Sequence, residues 1–183
     1  MTNWTKLAEQ AHRTSVERGN WKTETGYRNI AMQVVAELVK ATEADHEGKH
    51  ANRQTYKDEC NVFSDSIAGY NERAKERARS YERNMLGSIE DCMAQACILL
   101  LDYVGHLKYT NMRLFSYAGR GMMELNMQLF CFGVCKELMD SSETSSGVTI
   151  TYIMSIIVNY FTWRKVNLLY FIKERMAYNE RGI

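Results

Sequence analysis

The sequence contains no proline among its 183 residues, and its formal net charge is only +1. Proline interrupts helices, so its absence favours a chain that is mostly helical. With so little net charge, no overall field draws the chain to nucleic acid or to an anionic membrane surface, and any basic site must be local. We therefore expect neither a nucleic acid nor a membrane as a partner.

The sequence also lacks a CxxC pair, a signal peptide and a long apolar run. Its five cysteines are odd in number, and four of them lie in apolar helical runs. This pattern is typical of reduced, buried thiols in a cytosolic protein. The most apolar stretches, 94–104 and 148–163, are too short and too interrupted to span a bilayer. We expect a soluble, cytoplasmic protein.

Helical periodicity extends over most of the chain. A length of 183 residues and an apolar fraction of 45% fit one domain over residues 1–183 with its own core. We predict an all-α bundle of five or six helices. The predicted helices are 4–18, 27–46, Ser88 (as N-cap) to Leu107, 121–139 and 149–178, with a loop and an exposed or irregular helix over 49–86 and a flexible connection over 141–147.

A β-branched run and a charged block are the two segments of the predicted bundle that fit a helix less obviously. The β-branched run 148–153 would suit a strand, but a lone strand has no partner in this chain, so we assign the run to the last helix. The charged block 71–83 interleaves Glu with Lys and Arg, which indicates a solvated helix face rather than a nucleic-acid patch. Surplus apolar surface on the central and last helices predicts a homo-oligomer.

Short motifs offer little chemistry. HEGKH, from His46 to His50, has the letters of the zinc-binding HExxH motif, but Gly48 falls where a helix ends and no third ligand follows. We interpret it as a solvent-facing helix terminus. Cys131 and Cys135 lie at i and i+4 in an apolar helix, which is more typical of core packing than of metal binding.

A longer pattern is more specific. RGNW (18–21) precedes a helix that contains AMQVVAELVKATEADHEGK. YERNMLGSIEDCMAQACILLLDYVGHL follows, and NLLYFIKERMAYNERG lies near the end of the chain. This order resembles the MazG-like nucleotide pyrophosphohydrolases of bacteria and phages, although residues 112–166 match only in character. The resemblance implies an all-α homodimer or homotetramer that cleaves nucleoside triphosphates to a monophosphate and pyrophosphate.

In that family, carboxylates in an EExxE motif and an ExxD motif on two facing helices hold Mg²⁺, which activates the attacking water. Matched position by position, the first motif falls on Ala36, Glu37 and Lys40, and the second on Cys92 and Gln95. Only Glu37 keeps a carboxylate and is the one remaining metal-ligand candidate. We therefore expect no cofactor, and Mg²⁺ only if hydrolysis persists.

Other acids lie near these positions in the sequence. Asp91 and Asp102 flank Gln95 at four and seven residues, so both are candidates to face one cavity with it, and Glu43 and Glu90 are also close. Asp91 and Glu37 are the weak catalytic candidates of a rebuilt site.

Lys40 brings a positive charge to the position of a metal-binding acid. An ammonium repels a divalent cation and does not activate water as Mg²⁺ does. Lys40 either pairs with Glu37 or meets a phosphate group in place of the metal. We expect the pocket to bind a nucleotide without hydrolysing it.

The resemblance also extends to the basic and aromatic tail. It implies nucleotide contacts from Lys173, Arg175, Tyr178 and Asn179, while Arg181 is one residue out of register with the family's Arg. The alternative for these residues is a solvated helix terminus, where cations are favoured by the helix dipole. Trp21 either stacks on a base or packs in the interior.

Three functional hypotheses remain at the level of sequence. The preferred one is a catalytically impaired, nucleotide-binding member of the family that sequesters a nucleotide or a nucleotide-derived signal, with Trp21, Glu37, Lys40, Gln95, Asp102, Lys173, Arg175, Tyr178 and Asn179 as ligand-binding candidates. The alternative is an active Mg²⁺-dependent pyrophosphohydrolase built from Glu37, Glu90, Asp91 and Asp102. The third is a structural helical oligomer without a small ligand.

Overall fold

Helices make up the regular secondary structure of the residues that this computed structural model describes, which are 3–21, 26–65, 69–115, 120–141 and 147–181. The all-α prediction is confirmed for these residues. In chain order the helices are α1 Trp4–Glu17, α2 Tyr27–His46, α3 Arg53–Asp65, α4 Tyr70–Asn84, α5 Ile89–His106, α6 Arg120–Met123, α7 Met127–Asp140, α8 Gly147–Trp163 and α9 Leu168–Glu180.

Side-chain caps fix several helix starts. The hydroxyl of Ser88 accepts a hydrogen bond from the Asp91 N–H, and the Asp91 carboxylate in turn accepts one from the Gly87 N–H at 2.9 Å. Asn3, Asn126 and Asn167 cap α1, α7 and α9 in the same way. These caps satisfy N–H groups that have no partner within the helix. The cap predicted at Ser88 is confirmed.

Helix α5 is the centre of the structure. It packs against α1, α2, α8 and α9, and its buried positions include Leu100, Leu101 and Val104. At Gly105 it approaches α1 so closely that an added Cβ would meet the Ala8 carbonyl oxygen and lie 2.6 Å from the Cβ of His12. A helix that is apolar nearly all round must be covered on most sides. Helix α5 meets this requirement, because four other helices pack against it.

The segment 49–86 was predicted as a loop followed by one exposed or irregular helix, and this is wrong. It forms two helices, α3 and α4, which pack against each other. Tyr56 and Tyr81 are fully buried, and their rings meet edge to face at 5.8 Å. Consequently α4 is not a wholly solvated face. Its apolar positions are widely spaced among charges, so their periodicity in the sequence is weak.

Two predicted helices are each divided in two. The predicted helix 149–178 breaks after Trp163, where Lys165 adopts a left-handed φ of 62° and Asn167 caps the new helix α9. The predicted helix 121–139 consists of the single turn α6 and then α7, which begins at its own Asn126 cap. The described chain therefore has more than the five or six helices that we expected.

The structure also tests the predictions for the run 148–153 and for membrane-spanning helices. The β-branched run 148–153 is helical, as predicted, within α8. In the described part of the chain, no helix is both long and apolar enough to cross a membrane. Residues 142–146 of the connection predicted over 141–147 lie outside the described residues. The homo-oligomer stays a prediction.

Candidate functional site

An ion pair joins α5 to α9 where the resemblance places the catalytic centre. Nη1 of Arg175 donates to both carboxylate oxygens of Asp91, at 2.9 and 3.0 Å. The side chains are 17% and 4% exposed. Burial opposes the charge on Arg175, but the nearby carboxylate outweighs it, so the pKa of Arg175 is raised. The Asp91 carboxylate therefore balances the charge of a buried guanidinium of the protein itself.

The hydroxyl of Tyr81 also donates to Asp91. Burial and the neighbouring carboxylate raise the pKa of Tyr81, so the phenol stays protonated and acts as a donor. With the Gly87 N–H, Asp91 is held by three groups from the protein. Few acceptor positions are left for a metal ion.

Gln95 links this ion pair to the end of α9. Its side-chain oxygen accepts hydrogen bonds from Nε of Arg175 at 3.1 Å and from the amide of Asn179 at 3.2 Å. Gln95 is at the position where the resemblance to the MazG-like motif would place an aspartate, and it supplies an acceptor without a charge. The side-chain oxygen of Gln95 is thus already hydrogen-bonded to a guanidinium and to an amide of the protein.

Glu37 and Lys40 form a pair within α2. Nζ of Lys40 donates to Glu37 at 2.7 Å, and this hydrogen bond raises the pKa of Lys40. Burial, together with the charges of Asp91 and Glu37, raises the pKa of Cys92 on α5 to about 11. At neutral pH Cys92 is therefore a neutral thiol, and Glu37, the one acid at the positions that the resemblance matches to the motif, is bound to an ammonium.

Asp102 is the centre of a second polar cluster, between α1 and α5. Trp21 Nε1 donates to its two oxygens at 3.0 and 3.1 Å, and His12 Nδ1 lies 2.9 Å from Oδ1. Because a carboxylate only accepts, this geometry places a proton on Nδ1 of His12. The Trp21 ring stacks on His106 with ring centroids 4.1 Å apart. In this structure Trp21 is thus packed against the protein's own rings.

A cavity of about 200 Å³ lies between α1, α5 and α9. Gln95 and Asp102 of α5 and Arg175 and Asn179 of α9 contribute its polar lining, together with Arg18 and Asn20 at the end of α1. Ala11, Ile98, Leu99 and Met176 form an apolar wall. The cavity thus combines an apolar surface with a few convergent polar groups, as ligand sites commonly do.

The remaining candidates lie outside this cavity. Lys173 is exposed on α9. Tyr178 stacks on Tyr81 at 4.8 Å and donates to Glu82. Glu37 and Lys40 lie on α2, and Asp91 is next to the cavity's Arg175 without lining it. The structure therefore places four of the nine ligand-binding candidates around one space.

The acids of the rebuilt-site alternative are held in separate sets of contacts. Glu90 accepts from the Ala51 N–H at 3.0 Å and lies 3.1 Å from Nδ1 of His50, apart from the donors of Glu37, Asp91 and Asp102. Among the described residues, no group of three His, Cys, Asp or Glu side chains is arranged to hold a metal. The HExxH letters also fail as a helical motif, because α2 ends at His46 and Gly48 has a φ of 66°.

Several residues of the site were not singled out from the sequence. His12 and Tyr81 bind the two key carboxylates, and Arg18 and Asn20 line the cavity. The RGNW segment predicts a role for Trp21 and carries no comparable signal for Arg18 or Asn20. His12 and Tyr81 carried no signal, since each meets its partner from a different helix.

Comparison of the chain with protein-family models, with curated proteins and with solved structures gave no match. The MazG-like family therefore rests on the motifs of the sequence and is a proposal.

Proposed function

We propose that the protein is a MazG-like, nucleotide-binding protein whose cavity between α1, α5 and α9 holds the base of a nucleotide or of a nucleotide-derived signal. The observation that supports this is the convergence of Gln95, Asp102 and Asn179 on one cavity with an apolar wall. A flat base packs on Ile98 and Leu99, while amide and carboxylate groups pair with its polar edge.

The size and charge of the cavity suggest how the ligand lies. About 200 Å³ is less than the roughly 300–1,000 Å³ of sites that enclose a drug-sized ligand. The cavity thus suits a base better than a whole nucleotide. Arg18 is exposed at the end of α1 and lines the same cavity. In this proposal, its guanidinium takes the phosphates, which extend toward solvent.

We further propose that binding is not followed by hydrolysis. Lys40 holds Glu37, and Arg175, Tyr81 and the Gly87 N–H hold Asp91. For Mg²⁺ to bind at these acids, it must displace those donors and tolerate two nearby cations. The chemistry of this donor set favours a ligand site over a metal-dependent active site.

A thermal-shift panel of nucleoside mono-, di- and triphosphates tests the binding proposal. We expect at least one nucleotide to raise the melting temperature of the wild type, because a ligand that binds only the folded state stabilises it. Asn179→Ala should reduce that shift, whereas Gln33→Ala, on the exposed face of α2, should preserve it. If no nucleotide at millimolar concentration raises the melting temperature, the structural-oligomer hypothesis is favoured instead.

A pyrophosphate-release assay with Mg²⁺ or Mn²⁺ tests the proposal that the bound nucleotide is not hydrolysed. We expect no turnover above the background without enzyme for any common nucleoside triphosphate. Turnover that Glu37→Ala abolishes would contradict the proposal and favour the active pyrophosphohydrolase.

A further inference from the structure

A second groove, of about 350 Å³, lies between α3 and α4 beside the C-terminal end of α9. It shares no lining residue with the cavity between α1, α5 and α9. Its lining includes three arginines, which are Arg73 and Arg77 of α4 and Arg181 just after α9. No carboxylate lines it within the described residues.

One of these arginines is already occupied. Nη2 of Arg77 donates to both oxygens of Glu174, at 2.9 and 3.2 Å, and its Nε donates to the hydroxyl of Tyr56 at 3.2 Å. The charge of Arg77 is thus balanced from within the fold. Any excess positive charge in the groove comes from the other two arginines.

Arg73 and Arg181, unlike Arg77, have no carboxylate partner among the described residues. Arg73 is exposed and forms no ion pair with a described residue, although the other arginines of α4, which are Arg77, Arg79 and Arg83, all do. Nη1 of Arg181 is buried and has no hydrogen-bond acceptor among the described atoms. A buried guanidinium donor without an acceptor is unfavourable, so an acceptor that enters the groove and reaches this donor would be stabilised there.

The first turn of α4 adds to the positive character of the groove. Its N-cap is Gly69, which has no side chain to accept from the free N–H groups. Tyr70, the first residue of the helix, lines the groove. The positive end of the helix dipole thus lies beside the guanidinium groups of Arg73 and Arg181. Glu72 in the same turn offsets part of this dipole and pairs with Lys75, so the two guanidinium groups are the main reason that the groove favours an anion.

We infer that this groove is a second ligand site, which binds a phosphate group through Arg73 and Arg181. A planar guanidinium matches the tetrahedral phosphate with two parallel N–H donors, and two such groups can balance a dianion. The inference does not depend on the nucleotide proposal, because the two sites have separate linings.

Nitrogen-15 NMR of the arginine Nε–Hε groups, titrated with inorganic phosphate at constant ionic strength, tests this inference. We expect saturable shifts at Arg73 and Arg181 and none at Arg79, which lies on the same helix outside the groove and pairs with Glu76. Acetate at the same ionic strength should give weaker shifts, since it carries a single charge.

Variants locate the site. Because Arg73 is exposed, Arg73→Gln should fold normally and weaken phosphate binding about tenfold, a typical loss for one charge-assisted contact. The double variant with Arg181→Gln should lose saturation. Arg79→Gln and Gln33→Ala, which both lie outside the groove, should leave the affinity unchanged. Shifts that do not saturate, or that are equal in Arg73→Gln and the wild type, would overturn the inference.

Discussion

Arg175 and Asp91, 84 residues apart in the chain, form a buried ion pair with two hydrogen bonds of 2.9 and 3.0 Å. The pair joins the central helix α5 to the last helix α9, and it takes up one of the acids that the rebuilt-site alternative would use. It therefore links the stability of the fold to the proposed loss of hydrolysis.

Removal of this arginine should be costly. Arg175→Ala leaves Asp91 buried with its principal counter-charge gone, so we expect a loss of about 3 kcal/mol in the free energy of unfolding. The exposed pair of Arg79 with Glu76 is the matched control, and Arg79→Ala should cost less than about 0.5 kcal/mol. Urea unfolding of both variants measures the difference. Equal losses would show that the ion pair contributes no more than a surface contact.

The approach of α1 to α5 makes a second prediction. In Gly105→Ala, the new Cβ meets the Ala8 carbonyl oxygen and the Cβ of His12, which are parts of α1 that cannot simply rotate away. We expect a loss of about 1–3 kcal/mol in the free energy of unfolding, despite the better helix propensity of alanine. Gly121→Ala has open space around it and should be neutral or slightly stabilising. Thermal unfolding of the two variants is the measurement.

The break between α8 and α9 can also be tested. Lys165 holds a φ of 62°, which is strained for an L residue and free of strain for glycine. Lys165→Gly should therefore stabilise the protein by about 1 kcal/mol, seen as a higher melting temperature. Lys165→Ala removes the same charge without relieving the strain and should show no gain. If the two helices were one continuous helix, the glycine variant would be destabilised instead.

The ring stack of Trp21 on His106 predicts a pH effect on fluorescence. Burial and the nearby His12 lower the pKa of His106 below its usual 6.5, so the ring is neutral at pH 7. As the pH falls through this lowered pKa, the ring gains a proton and should quench Trp21. We expect the fluorescence of a Trp4→Phe, Trp163→Phe background to decrease with a midpoint below pH 6.5. In His106→Gln the decrease should disappear, and a persistent decrease would assign it to another group.

Much of the fold follows from local signals in the sequence. The limits of α2 and the cap at Ser88 follow from an apolar stripe and a capping residue, which are both local. The breaks at Lys165 and Asn126 were missed because neither proline nor glycine marks them. The sequence predicts a solvated α4 because the few buried residues of this helix are spread among charges.

The site was less accessible from the sequence than the fold. Matching to the family motif identified Glu37, Lys40, Cys92 and Gln95, but not the side chains that they contact. Asp91 meets Arg175 and Asp102 meets His12 across 84 and 90 residues. Such pairings depend on how the helices pack, and no spacing within one segment reveals them.

Nucleotide binding without hydrolysis can be tested in a single calorimetric titration of nucleoside triphosphates in the presence of Mg²⁺, since this records binding heat and continuing reaction heat together. We expect saturable binding of at least one nucleotide, weakened about tenfold in Asn179→Ala by the loss of a polar contact and unchanged in Gln33→Ala. The signal should return to baseline after each injection. Absence of binding heat for every nucleotide, or a steady heat flow that Glu37→Ala abolishes, would contradict the proposal.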